Sequence, residues 1–406
     1  MKKLILLLIV VFGFYSCDGD KKSKDKKDPD KDKKAVVFDV LQPSFPVDDP
    51  TVRSQANFDE YAWQMFVAMN WPASTTERGK PDTSKTIEDV QGLRVWQSLR
   101  TSESVFLPKA ANPGDWNAGY GSGATLTLSN TSKVDSTIKE KLTGIGQAVG
   151  GPLVDQNLQY VYFEKFMNEV EYNNVVSNKY YDLSVLQKID TNLVLPDGSM
   201  EIKSAWKVMG EGDTPSDFFT ANAIIEAPDS ENGTPVTVGL VGLHIIYKSK
   251  SSPQWVWATF EHKDNAPDEK DAKTATGHFS FFNPECTDCK LNEKQGDKPK
   301  FATQVARYTP IRQDAINANT KWQGLLKNTV WKNYELITTQ WPNDPNNQGD
   351  PQGDPTPNLS ANTTMETYIQ SFSSCMACHS TAAPVGSSIR TDYSFLFLEA
   401  NAKPTK

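Results

Sequence analysis

Apolar and polar positions change period several times along the chain, and each change marks an element. An apolar run from Leu4 to Val11, led by Lys2 and Lys3, comes first. After a proline-punctuated stretch from Leu41 to Pro50, Phe58, Tyr61, Ala62, Met65, Phe66 and Met69 recur at helical spacing. Asn57 and Glu60 predict a capping box at the start of that helix, and Trp71-Pro72 its stop. Its apolar stripe, both methionines included, predicts core packing. Residues 73–150 are rich in turn formers with short apolar runs between them. From there alternation dominates. Strands are predicted over Leu158 to Met167, Glu201 to Met209, Phe218 to Ala227, Val236 to Lys248 and Gln254 to Asp264. Helices are predicted around Asn168 to Ser177 and Arg312 to Asn328, and an extended segment over Trp331 to Trp341.

On the strand from Glu201, residues Ile202, Ser204, Trp206 and Val208 face one way, and Glu201, Lys203, Ala205 and Lys207 the other. The next long pair, joined by Ser249 to Pro253, predicts a hairpin with a histidine on each arm. His244 shares a face with Val238, Leu240 and Ile246, and His262 with Val256, Ala258 and Phe260. The parity of the register decides whether the two histidines lie on one side. Together these patterns predict an α+β body over residues 36–341, mainly antiparallel sheet with packed helices. A loop of Pro, Asn, Asp and Gly follows at 342–360, and a small helical segment at 361–406.

That last segment carries Cys375-Met376-Ala377-Cys378-His379, the pattern of a c-type haem attachment site. Thr363-Thr364-Met365-Glu366 has capping-box spacing, and Met365, Tyr368, Ile369, Phe372, Cys375, Met376 and His379 follow three or four apart. One amphipathic helix is therefore predicted to carry the motif, ended by Pro384. In this reading the Cys375 and Cys378 thiols add across the two vinyl groups of one haem c, and His379 is the proximal iron ligand. No methionine follows Met376 and no histidine follows His379. A distal ligand must then come from the body, unless the iron is five-coordinate. His262, near a strand end beside Asp264 and Asn265, is the first distal candidate and His244 the second. The competing reading, a hydrogen-bonded core histidine, is the commoner fate of a lone histidine on an apolar strand face.

The first 35 residues change the charge balance. The apolar run followed by Cys17 predicts a lipoprotein-type signal over 1–17, with Cys17 lipidated. Residues 18–35, with eight lysines and six aspartates, predict a disordered charged tether. The chain holds 42 basic and 50 acidic side chains; the first 35 residues take ten and six, leaving 32 against 44, a net of −12. An acidic body argues against nucleic acid and suits a basic redox partner in the envelope. Of five cysteines, Cys17 and the motif pair leave Cys286 and Cys289. These predict a short structural disulfide, because no second cysteine pair is free to complete a zinc site.

Several stretches together resemble a group of large exported "cytochrome c family" proteins of Gram-negative bacteria. They are Phe58 to Gln64 with Asn70-Trp71-Pro72, Gly198 to Lys203, Gly242-Leu243-His244, Trp257 to His262, Cys375 to His379, and Asp392-Tyr393-Ser394-Phe395. The resemblance covers much of 57–398 and implies a monohaem cytochrome with a large fused body, without indicating a substrate. Cys286-x-x-Cys289-Lys290 separately resembles the lysine-ligated haem of multihaem nitrite reductases, but those carry several further CxxCH motifs and this chain has one. The leading expectation is an electron-transfer cytochrome anchored in the cell envelope, periplasmic or surface-facing. The alternative is a haem enzyme with an open iron site, acting on peroxide or a small oxidisable substrate, with Glu261, His262 and Asp264 as acid/base candidates. A third is a binding module in which the haem is accessory.

Overall fold

A computed structural model describes residues 40–121, 126–128, 151–225, 234–294 and 301–401. The predicted signal, Cys17 and the tether lie outside these residues. The helices are α1 (Gln55–Met69), α2 (Ser102–Val105), α3 (Glu169–Ser177), α4 (Leu183–Leu186), α5 (Gln313–Leu325) and α6 (Cys375–His379). The strands are β1 (Arg100–Thr101), β2 (Leu126–Leu128), β3 (Tyr162–Met167), β4 (Met200–Val208), β5 (Thr220–Ile225), β6 (Thr234–Ser249), β7 (Ser252–His262), β8 (Tyr334–Pro342) and β9 (Pro355–Thr356). The chain is α+β, with an antiparallel sheet packed against helices. Strand order is β1-β3-β4-β6-β7-β8-β9; β5 pairs with the first part of β6, and β2 joins β5 in parallel.

The long hairpin β6–β7 is the centre of the sheet. Its register pairs His244 with Thr259 and Ile246 with Trp257, while His262 pairs with Tyr334 of β8. Side chains alternate across a strand, so His244, Trp257, Thr259 and Glu261 point to one side, and Phe260 and His262 to the other. The two histidines therefore lie on opposite faces.

The Phe260 face is covered by α1 and α5. Phe66 and Trp63 of α1 lie 4.4 and 5.1 Å from the Phe260 ring, centroid to centroid. Asn319 of α5 spans two elements: its Oδ1 accepts from Trp63 Nε1 at 3.0 Å and from the Leu336 amide at 2.9 Å. Its amide group donates back to the Leu336 carbonyl at 2.9 Å. The cap of α1 is Ser54, whose hydroxyl accepts from the Asn57 amide, so the helix begins two residues before Asn57.

The other face is covered by residues 360–401. This segment is not the long capped helix that its spacing predicts. Turns occupy residues 363–372, and α6 is five residues long. Thr363 fails as a cap because its amide and hydroxyl both donate to Glu261, at 2.8 and 2.6 Å. The Glu366 carboxylate instead accepts from the Asn362 amide at 2.9 Å, and Asn362 Nδ2 reaches Thr259 Oγ1 and the Phe260 carbonyl at 3.0 and 2.9 Å. Tertiary hydrogen bonds to β7 thus outcompete a local helix. Gly242 permits this close approach: a Cβ there would collide with Thr364 Oγ1 and stand 3.2 Å from Met365 Cε.

Candidate haem-binding site

Between the sheet and the C-terminal segment lies a cavity. Its floor is the His244 face of the sheet: Lys165 of β3, Glu201 and Lys203 of β4, His244 and Ile246 of β6, and Trp257 of β7. Its roof is Met365, Glu366, Ile369, Ser373 and Ser374, then Cys375, Cys378 and His379, and finally Phe395, Leu396, Leu398 and Glu399. Every member of the attachment motif that carries chemistry lines this one space.

The five-residue α6 is too short to hold itself together, since helix nucleation is costly. Gln340 of β8, wholly buried, holds it. Its Oε1 accepts from the Met376 amide at 2.8 Å, and its Nε2 donates to Ser374 Oγ at 3.1 Å and to the Pro357 carbonyl at 2.6 Å. Ser374 is the N-cap and accepts from the Ala377 amide.

His379 is oriented from behind. Its Nδ1 lies 2.7 Å from the Tyr393 carbonyl, an acceptor, so Nδ1 carries the proton and Nε2 keeps its lone pair. The ring is wedged between Trp257 and Phe395, at centroid distances of 4.5 and 4.8 Å. The Tyr393 carbonyl is aimed by a strained turn, with Asp392 and Tyr393 both at positive φ, 52° and 71°. A buried lysine secures that turn: Lys248 Nζ donates to Asp392 Oδ2 at 2.5 Å and to the Leu195 carbonyl at 2.8 Å. Burial lowers the His379 pKa to about 3, opposed by the Tyr393 hydrogen bond, so the imidazole is neutral at physiological pH.

Cys375 and Cys378 are unpaired thiols, and burial raises both pKa values to about 12, so both stay protonated. Two free thiols and a neutral imidazole with its second nitrogen committed to a carbonyl are the donor set of a covalently held haem. These residues fit that group.

The distal candidates separate. His262 is not at the cavity. Its Nε2 lies 2.9 Å from the Asp217 carbonyl, its Nδ1 accepts from the Asp264 amide at 3.2 Å, and its ring stacks on Phe218 at 4.0 Å. Both nitrogens are engaged, and burial lowers its pKa to about 4. It is a buried histidine that the fold does not bring to the cavity of Cys375, Cys378 and His379. His244 lines the cavity, with Nε2 3.7 Å from the Glu366 carboxylate. Met365, ten residues before the motif, is a second ligand-type side chain there. A search only downstream of the motif overlooks it.

The acid/base candidates also move. Glu261 is locked by Arg307 and Thr363, and neither it, His262 nor Asp264 lines the cavity. The cavity carboxylates are Glu201, Glu366 and Glu399. Glu201 abuts Glu171 of α3, and burial of two neighbouring carboxyls raises both pKa values. Sequence alternation placed Glu201 and Lys203 on one strand face but could not tell that a second layer covers it.

Cys286 and Cys289 are joined as a disulfide. Among the described residues, no helix is long and apolar enough to cross a membrane. No protein-family model, curated protein or solved structure matches this chain.

Proposed function

We propose that this chain is an exported, lipid-anchored monohaem c-type cytochrome that passes electrons to a partner protein of the bacterial cell envelope. The observation that carries the reading is the convergence of Cys375, Cys378 and His379 on one cavity, with His379 Nδ1 held by the Tyr393 carbonyl. The resemblance to exported "cytochrome c family" proteins points the same way, and the anchor at Cys17 belongs to the same proposal. When bound, the haem supplies a one-electron redox centre. The chain's own residues do the rest. The two thiols fix the group in place, and the Lys248–Asp392 turn holds the imidazole in one tautomer and orientation. Trp257 and Phe395 pack against the His379 ring and would keep water from it. His244, which also lines the cavity, would be the second side chain to hold the group in this reading.

A second reading, a haem oxidoreductase with an open iron site, is favoured by one observation. Glu366 and His244 face each other in the cavity and could move a proton to or from a bound substrate. The test is to mature the chain with a cytochrome c assembly system and denature it. Covalent haem must remain, and the Cys375→Ala/Cys378→Ala variant must lose it; a wild-type chain without covalent haem sinks the proposal. A low-spin spectrum indifferent to carbon monoxide supports electron transfer, with His244→Ala turning it high-spin. A wild-type spectrum that is already high-spin and binds carbon monoxide supports the enzyme.

A further inference from the structure

We propose that Lys165 and Lys203 form the receptor for the two carboxylates of the haem, at the end of the cavity away from Cys375 and Cys378. The inference rests on the haem reading and adds the polar contacts that would set the ring's direction. It begins with the register. Lys165 of β3 pairs with Lys203 of β4, Lys203 with His244 of β6, and His244 with Thr259 of β7, so one row crosses four strands. Neighbouring strands lie about 4.8 Å apart. The motif sits over β7, where Trp257 touches His379. Lys203 therefore stands about 10 Å away across the sheet and Lys165 about 14 Å, with His244 between.

That order matches the chemistry of the ring. The two vinyl carbons that take thiols lie on one side of a haem, and its two propionates on the other. Two lysines side by side match two carboxylates side by side. Their placement is otherwise costly, because like charges directly opposite on adjacent strands repel, and a semi-enclosed cavity screens them poorly. The protein's own carboxylates already answer them. Glu399, near the end of the described chain, pairs with Lys165, and Glu366 and Glu399 both act on Lys203. Lys203 also lies over the Phe163 ring at 5.3 Å. Burial still pulls the Lys203 pKa down to about 8. A pair of ring carboxylates would take the place of Glu399 on this row.

The test uses the full chain made without haem maturation. It is titrated with ferric haem and with haem dimethyl ester, in which both propionates are blocked. The free acid is expected to bind at least about tenfold tighter. Lys165→Met/Lys203→Met should abolish that preference, Lys165→Arg/Lys203→Arg should keep it, and the exposed control Lys188→Met should leave it untouched. Equal affinity of the wild-type chain for acid and ester overturns the proposal, whatever the variants do, and so does a preference that survives the double methionine change. If the matured chain carries covalent haem while acid and ester bind alike, only the receptor falls. If there is no covalent haem and neither probe binds, the haem reading falls and the receptor with it.

Discussion

Gln340→Leu should release the attachment helix while leaving the sheet intact. The side chain is buried between β8 and α6, and its removal strips two buried backbone groups of these partners, the Met376 amide and the Pro357 carbonyl. Each orphaned group costs about 1–3 kcal/mol, so the pair costs about 2–6 kcal/mol, with about 3 kcal/mol a conservative value. A five-residue helix has no stability of its own to absorb that loss. The penalty should therefore appear as local opening around Cys375 and Cys378 before any global unfolding. At about 1.4 kcal/mol per tenfold, 3 kcal/mol raises the open population about a hundredfold. The assay is native-state thiol labelling of the haem-free chain, followed by peptide mapping at Cys375 and Cys378 with circular dichroism as the check on folding. Labelling within threefold of wild type in a folded Gln340→Leu chain would refute the idea that this amide holds the motif.

Three further predictions follow from burial. His262 has a folded pKa lowered to about 4 against 6.5 unfolded, so only the unfolded chain gains its proton between those values. Stability should fall by about 3 kcal/mol as pH drops from 6.5 to 4, and the His262→Phe chain should lack that component in denaturant titrations. Arg307, 3 % exposed, pairs with Glu261, Asp268 at 3.2 Å and Glu335 at 2.9 Å. Arg307→Met should destabilise by about 3–5 kcal/mol in urea, and adding Glu261→Gln should recover part of it; no recovery would mean that stranded charge is not the cause. Gly242→Val should cost about 1–3 kcal/mol or more by pushing Thr364 and Met365 off β6, visible as faster hydrogen exchange across residues 360–366. Unchanged exchange there would show that the segment does not rest on Gly242.

Much of the sheet could be read directly from alternation. β4, β6 and β7 lie within two residues of their expected limits, because long strands with one apolar face leave a strong period-two signal. The CxxCH pattern at Cys375 to His379 is equally plain as a pattern, being local and compositionally unusual. What sequence could not supply was register. His244 and His262 sit on equally apolar-looking arms, and only the pairing with Thr259 and Tyr334 assigns them to opposite faces. The C-terminal helix was misread for a related reason. Met365 to His379 has helical spacing, yet Thr363 and Asn362 bind β7 rather than the local backbone. Gln340, Lys248 and Asp392 carry no local signature, since each acts through a partner far away in sequence.

The mixed charge on the Lys203 face has a consequence for the sheet without its cover. Strands β3 to β8 precede residues 360–401 in the chain, so without that segment the same face would stand open to water. A face of lysine, glutamate and histidine suits that open state, in which an oily surface would invite aggregation. The alternation therefore reads the same whether or not a tail covers the face. The chamber itself is made only when the tail closes over it.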